Sequence, residues 1–133
     1  MSQGIRIIVC GGRDYADRAR VTEVLGSLHL SRGINLIIHG GAGHFFDPEP
    51  NRRANRWVGA DKMAGEWARE MGIPVTECPA DWERHGKSAG PIRNRQMLAM
   101  VPDMVVAFPG GKGTAHMTRI AREAGVEVLE VKE

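Results

Sequence analysis

The chain has 133 residues, of which 42% are hydrophobic and 26% charged, with a formal net charge of +2. That is the size and balance of one folded domain with no need of a metal or disulfide staple, and it excludes disordered and fibrous classes. So small a net charge provides no broad basic face for nucleic acid, and no apolar run approaches the roughly 18–20 residues of a membrane span.

Met1-Ser2-Gln3-Gly4 leads directly into strand-like sequence and does not read as a signal peptide. Cys10 and Cys78 lie far apart, each in or just after an apolar run. Both are expected to be buried, reduced thiols, which places the chain in the cytoplasm and away from membranes.

Ile5-Arg6-Ile7-Ile8-Val9-Cys10 is apolar and rich in β-branched residues, and Gly11-Gly12 stops it, so it predicts a buried strand. From Ala16 to about Arg32, Val21, Val24, Leu25 and Leu28 recur on one helical face. Asp17 is suited to cap that helix and Gly33 to end it. Ile34 to Ile38 predicts a second strand, which runs into Gly40-Gly41. Residues 43–58 break the rhythm with Pro48, Pro50, Arg52, Arg53, Arg56 and exposed-looking Phe45, Phe46 and Trp57.

A second helix is predicted from Ala60 to Met71, then a short strand around Val75 after Pro74. A third helix runs from Ala89 to Val101, with Pro91 tolerated in its first turn. Met104 to Phe108 predicts a fourth strand, and Thr114 to Ala124 a fourth helix closed by Gly125. Val126 to Val131 alternates, as an edge strand with one face in water does. No internal repeat or low-complexity tract interrupts this order.

Alternating strands and helices predict an α/β fold: one parallel sheet of five strands with helices on both faces, in the order 3-2-1-4-5. The ends of the first and fourth strands then meet where the winding reverses, and ligands of open α/β sheets bind there. The two richest glycine turns fall at that point.

Gly11-Gly12-Arg13-Asp14 allows either a tight turn or close approach of an anion to backbone amides. Its spacing is not G-x-G-x-x-G, and no G-x-x-x-x-G-K-[ST] occurs, which disfavours ordinary NAD binding and a P-loop. Pro109-Gly110-Gly111-Lys112-Gly113-Thr114 is sharper. Such glycine density packs nothing and costs chain entropy, so phosphate or ribose binding explains it better than a plain turn. Thr114 is placed to cap the following helix or bond the phosphate.

Arg93 and Asn94 open the third helix near the same sheet edge, and a planar guanidinium suits phosphate or carboxylate. Asp61 is suited either to hold a ribose hydroxyl or simply to favour a helix start. Trp82, after Asp81 and before Gly86-Lys87-Ser88, either stacks on a base or packs a helix. His39 and His44 are a weak pair and the remaining histidines lack ligand spacing, so no metal is predicted. His116 is near enough to the glycine loop to approach a ligand, and G-x-S-x-G is absent.

Taken together, Gly11-Gly12-Arg13-Asp14-Tyr15, His39-Gly40-Gly41-Ala42, Gly59-Ala60-Asp61, Glu66-Trp67-Ala68, Ala80-Asp81-Trp82, Ala89-Gly90-Pro91-Ile92-Arg93-Asn94 and Phe108-Pro109-Gly110-Gly111-Lys112-Gly113-Thr114 resemble the YspA-like branch of the SLOG superfamily. The likeness spans nearly the whole chain with the motifs in order. It implies a single Rossmann-like three-layer α/β/α domain over residues 1–133, related to the Lonely Guy phosphoribohydrolases and to DNA processing protein A. It also implies a homo-oligomer, for which Met63, Trp67 and Met71 are either contacts or core. Relatives of this branch pass almost directly from Gly-Gly-Ala to Gly-Ala-Asp, so residues 43–58 read as an insertion.

The resemblance implies binding of a nucleotide or nucleotide-derived ligand by Gly11, Gly12, Arg13, Asp14, Gly40, Gly41, Ala42, Asp61, Trp82, Arg93, Asn94, Pro109, Gly110, Gly111, Lys112, Gly113 and Thr114. No separate cofactor is expected. Hydrolysis of an N-glycosidic bond is the alternative. Against it, Ala115, His116 and Met117 stand where the Lonely Guy enzymes carry glutamates, although Arg93 and Met97 match their R-x-x-x-M motif. A carboxylate for the developing oxocarbenium charge would then come from Asp14, Asp61 or Asp81, with Arg93 beside it. Binding of single-stranded nucleic acid is a third reading, motivated by Trp57 beside the arginines of 43–58.

Overall fold

A computed structural model of the chain describes residues 4–46 and 56–132. In chain order the elements are β1 (Ile5–Cys10), α1 (Arg18–Arg32), β2 (Ile34–His39), β3 (His44–Phe46), β4 (Arg56–Val58), α2 (Ala60–Glu70), β5 (Val75–Glu77), α3 (Trp82–His85), a 3-10 turn (Gly86–Ser88), α4 (Ala89–Leu98), β6 (Met104–Ala107), α5 (Lys112–Glu123) and β7 (Glu127–Glu130).

Five strands form one sheet in the order β5-β2-β1-β6-β7, and every pairing in it is parallel. Numbered among themselves along the chain, these strands stand in the order 3-2-1-4-5, the order that the alternation predicts. β3 and β4 pair antiparallel with each other and form a separate two-stranded ribbon. It lies within residues 43–58. Arg52 and Arg53 lie outside the described residues.

Alternate residues of the central strands enter two cores, because successive side chains of a strand point to opposite faces. Ile7, Val9, Ile37 and Val106 pack with Val21, Leu25 and Leu28 of α1 and with Met63 and Trp67 of α2. Ile8, Cys10, Ile38 and Val105 pack with Met97 of α4 and with Met117, Ile120 and Ala121 of α5. The sheet therefore lies between two helical layers. Met63 and Trp67 are core residues, while Met71 is half exposed.

Local chemistry explains most boundaries. Asp17 caps α1 through the amide of Arg20, and Gly33 ends it at a φ of 73°, a conformation that favours glycine. The helix expected over Ala89–Val101 stops at Leu98. Val101, at a φ of 58°, has left the right-handed helix and precedes Pro102, and the α region is disfavoured for a residue before proline. The edge strand is shorter than its alternating sequence, at Glu127–Glu130, and mostly exposed. The short helix α3 escapes sequence reading, since four residues show no periodicity.

The last helix begins two residues before its expected start, at Lys112 with Gly111 as its N-cap. Thr114 is thus inside the first turn and is not the cap. Cys10 is buried as expected, but Cys78 is only half-buried; both are free thiols. Among the described residues no helix is long and apolar enough to cross a membrane.

Candidate functional site

Parallel register aligns the C-terminal ends of the central strands: Val9 stands opposite His39, and Cys10 opposite Ala107. The turns after β1, β2 and β6 therefore gather at one sheet edge. Beneath them lies a cavity of about 520 Å³, within the range of about 300–1,000 Å³ common for small-molecule sites.

One wall is the start of α5. Gly111, Lys112, Gly113 and Thr114 line the cavity, no side chain caps this helix, and the first amide bonded within it is that of Ala115. The leading amides and the positive end of the helix dipole make a site for an anion. A Cβ at Gly111 or Gly113 would meet no atom within 4 Å. The packing of the chain thus gives no reason for glycine at either position, although Gly111 is also the N-cap, where glycine is favoured.

The other turn glycines have internal reasons. A Cβ on Gly110 would overlap Thr114 Oγ1 and come within 2.7 Å of the Gly12 amide. One on Gly11 would lie 2.6 Å from Ala60 Cβ. The Gly12 amide itself donates to the Pro109 carbonyl at 2.8 Å. The expectation that this amide serves a phosphate is therefore corrected: it ties the two glycine turns together.

Arg93 and Asn94 form the opposite wall. Arg93 Nη1 donates to the Gly40 carbonyl at 2.9 Å, and its Nε donates to Asn94 Oδ1 at 3.0 Å. A Cβ at Gly40 would overlap the guanidinium, so glycine there makes the space for Arg93. Asn94 is buried; its Nδ2 donates to the Gly113 carbonyl at 3.2 Å and lies 3.0 Å from His116 Nδ1. Asn94 therefore holds α4 to the start of α5 and to the histidine that lines the cavity.

Asp61 occupies the floor beside Cys10. Its Oδ2 accepts from the amides of Gly40 at 3.2 Å and Ala42 at 3.1 Å, while Oδ1 is buried with no hydrogen-bond partner. Burial pushes this carboxyl up to about 7, against the lowering effects of the Ala42 and Gly40 amides and the Arg93 charge. Burial, with Asp61 beside it, also raises the Cys10 thiol far above its ordinary range. It stays protonated.

Trp82 stands at the rim with 59% of its surface exposed. Arg13, Lys87, Arg93 and Lys112 line the same cavity, and Asp61 is the carboxylate among its lining residues. Gly11, Gly12 and Ala42 complete the set of expected residues that the fold brings here.

Others fall elsewhere. Gly40 and Gly41 line an adjoining groove on the other side of Arg93, together with Pro79 and Ala80. Pro109 and Gly110 face a groove behind the loop, near Glu130 and Lys132. Asp14 is exposed, 3.1 Å from His44 Nε2, in a groove with Tyr15 and Arg20. Asp81 caps α3 by accepting from the Arg84 amide at 3.1 Å. Of the three candidate carboxylates, Asp61 lines the cavity.

His39 and His44 have separate partners. His39 Nδ1 accepts from the Gly41 amide at 2.9 Å, and burial holds this imidazole down to about 4. Trp57, expected to be exposed, is half-buried with Lys62 Nζ 4.7 Å from its ring centre. Sequence reading missed Cys10 as floor and Lys87 and Pro91 as walls. Position at the end of β1 was the available signal for Cys10; Lys87 arrives through the unforeseen 3-10 turn, and Pro91 sits in the foreseen first turn of α4 without having been read as a wall.

A family model described as YspA, cpYpsA-related SLOG family matches residues 5–58 and 53–85. Gene 61 protein of Mycobacterium phage D29 is 37% identical over 132 residues, an alignment covering 93% of this chain and 94% of that protein. Among solved structures, the chain is similar to a phosphoribosylglycinamide formyltransferase from Coxiella burnetii in complex with CHES, at 15% identity and a TM-score of 0.42. That likeness covers 83% of this chain but only 43% of the enzyme.

Proposed function

This chain belongs to the YspA, cpYpsA-related SLOG family, and on that footing we propose that it binds a nucleotide or nucleotide-derived ligand in the cavity at the sheet edge. The observation that carries the reading is the uncapped start of α5: Gly111 and Gly113 face the cavity without any packing reason to be glycine. A phosphate there accepts from free amides at the positive end of a helix. Arg93 and Lys112 add the charge that a phosphate requires, and Trp82 offers its ring to a base at the mouth.

Thermal unfolding with AMP, NAD and ADP-ribose tests this. A ligand that binds only the native chain raises stability by about 2.7 kcal/mol at 100 times its dissociation constant. A shift that disappears in Gly111→Asp supports the site, and a panel without any shift overturns it.

Hydrolysis of the N-glycosidic bond is the second reading, favoured by a carboxyl, Asp61, on the floor of the same cavity. Release of free base in the same samples, abolished in Asp61→Asn, would establish turnover. Binding without release would leave a sensor or carrier of the ligand.

A further inference from the structure

We propose that the small pocket where α2 faces the ends of β2 and β5 binds a small oxyanion, the size of inorganic phosphate, with His39 and Arg69 as its donors. The pocket shares no lining residue with the sheet-edge cavity, and the inference does not rest on the nucleotide reading.

Size and placement set the class of ligand. The pocket measures about 120 Å³, well below the roughly 300–1,000 Å³ of ordinary small-molecule sites, so a nucleoside is too large for it and a single anion is not. Lys62, Gly65 and Arg69 line it from one face of α2, at i, i+3 and i+7. Parallel register sets His39 opposite Glu77 on the other side. A Cβ on Gly41 would overlap the Glu77 carboxylate, and one on Gly43 would lie 2.8 Å from Lys62 Cγ. Lys62 and Glu77 thus stand between this pocket and the groove at Gly40 and Gly41.

The first ground is a donor without an acceptor. His39 is only 2% exposed. Its Nδ1 accepts from the Gly41 amide at 2.9 Å, so the ring proton sits on Nε2. Among the described residues Nε2 has no hydrogen-bond partner, yet it is not sealed in, since the side-chain atom both fully buried and unpartnered is Asp61 Oδ1. A donor so placed calls for an acceptor. Because Nε2 bears the proton, it offers no lone pair to a metal ion.

The second ground is Gly65. It lies inside α2, where glycine costs about 1 kcal/mol relative to alanine. A Cβ there would lie 2.9 Å from His39 Nε2 and 3.6 Å or more from the ring carbons. The missing side chain therefore clears the nitrogen rather than the body of the ring.

The third ground is charge. Lys62 Nζ donates to Glu77 Oε1 at 2.9 Å and lies 4.7 Å from the centre of the Trp57 ring, so these two charges offset each other. Arg69 has no ion pair among the described residues and remains the unbalanced charge of the lining. Its planar set of N–H donors suits an oxyanion better than a halide.

Titration of the full chain with inorganic phosphate at constant ionic strength, followed by the NMR signals of the His39 ring and by calorimetry, tests the inference. The wild-type chain and Gly111→Asp, in which the start of α5 is blocked, should show the same saturable shift of the His39 ring. Arg69→Ala, a change at an exposed residue, should weaken phosphate by about tenfold or more, the worth of one charge-assisted hydrogen bond. Gly65→Ala should abolish the His39 shift. Sodium chloride at the same ionic strength should leave the ring signals unmoved.

Absence of a His39 response to phosphate leaves the pocket to water and overturns the inference. A response that vanishes in Gly111→Asp belongs to the start of α5, and one matched by chloride is general screening; either overturns it too. So does a phosphate affinity unchanged in Arg69→Ala. Should Gly65→Ala fail to fold, Arg69→Ala carries the test. None of these outcomes touches the nucleotide reading, which stands or falls with the nucleotide panel.

Discussion

Arg93 Nη1 reaches the Gly40 carbonyl at 2.9 Å through the space that a Cβ on residue 40 would occupy. The guanidinium is thereby set between the turn after β2 and the cavity by an absence of side chain. Gly40→Ala should push aside the flexible end of Arg93 at a stability cost within about 1 kcal/mol. Loss of the fixed guanidinium should weaken AMP about tenfold. Thermal melts and a titration check both halves; unchanged AMP affinity would show that Arg93 does not meet the ligand.

Gly110 and Gly111 are neighbours in sequence with opposite expectations. A Cβ on Gly110 would crowd Thr114 and the Gly12 backbone, and overpacking against backbone costs about 1–3 kcal/mol. Gly110→Ala should therefore lower the melting temperature by several degrees. Gly111→Ala meets no atom within 4 Å and should lose only the glycine N-cap, about 0.5–1 kcal/mol, yet bind nucleotide more weakly. Equal effects of the two variants on stability would contradict the packing described above.

Two buried titratable groups should oppose each other as pH changes. Asp61, raised to about 7, holds its proton better in the folded chain than in the unfolded one. Its contribution is present below about pH 4 and is lost as pH rises towards 7. His39, lowered to about 4, is harder to protonate when folded, so its contribution is lost as pH falls from about 6.5 to 4. Over their shared window the slopes cancel. Asp61→Asn removes the descending slope, so its stability should drop on acidification more steeply than that of the wild type, by up to about 1.4 kcal/mol per pH unit. Denaturant midpoints at several pH values measure it, and parallel profiles would count against a buried titrating Asp61.

Trp82 presents 59% of its surface at the mouth of the cavity and packs little. Trp82→Ala should change stability slightly but weaken a nucleotide by about 1–3 kcal/mol, the worth of stacking one base on an aromatic ring. Trp82→Phe should restore most of that, and ribose 5-phosphate, which has no base, should bind all three proteins alike. A matching loss for ribose 5-phosphate would move Trp82 from the base to the sugar or phosphate.

Most of the fold was legible because it depends on local patterning. β-branched runs that end in glycines gave β1 and β2, and the face of Val21, Leu25 and Leu28 gave α1. The strand–helix alternation then left few topologies, since parallel crossovers are right-handed. The ribbon of β3 and β4 was not legible, because its two three-residue strands are separated by nine residues and show too little alternation to read. Short α3 was missed for the same reason.

The candidate site was legible in its glycines but not in their division of labour. Sequence alone determined that glycine turns follow β1, β2 and β6 and that Arg93, Asn94 and Asp61 start nearby helices, since turns and helix starts are set by neighbouring residues. Which amides remain free was decided only by the tertiary structure. Gly12 is tied to Pro109, Asn94 to Gly113, and one oxygen of Asp61 to Gly40 and Ala42, and each bond joins segments far apart in the chain. Spacing cannot reveal those pairings, because a hydrogen bond depends on distance and direction in space. The other oxygen of Asp61, left buried without a partner, could be found in no other way.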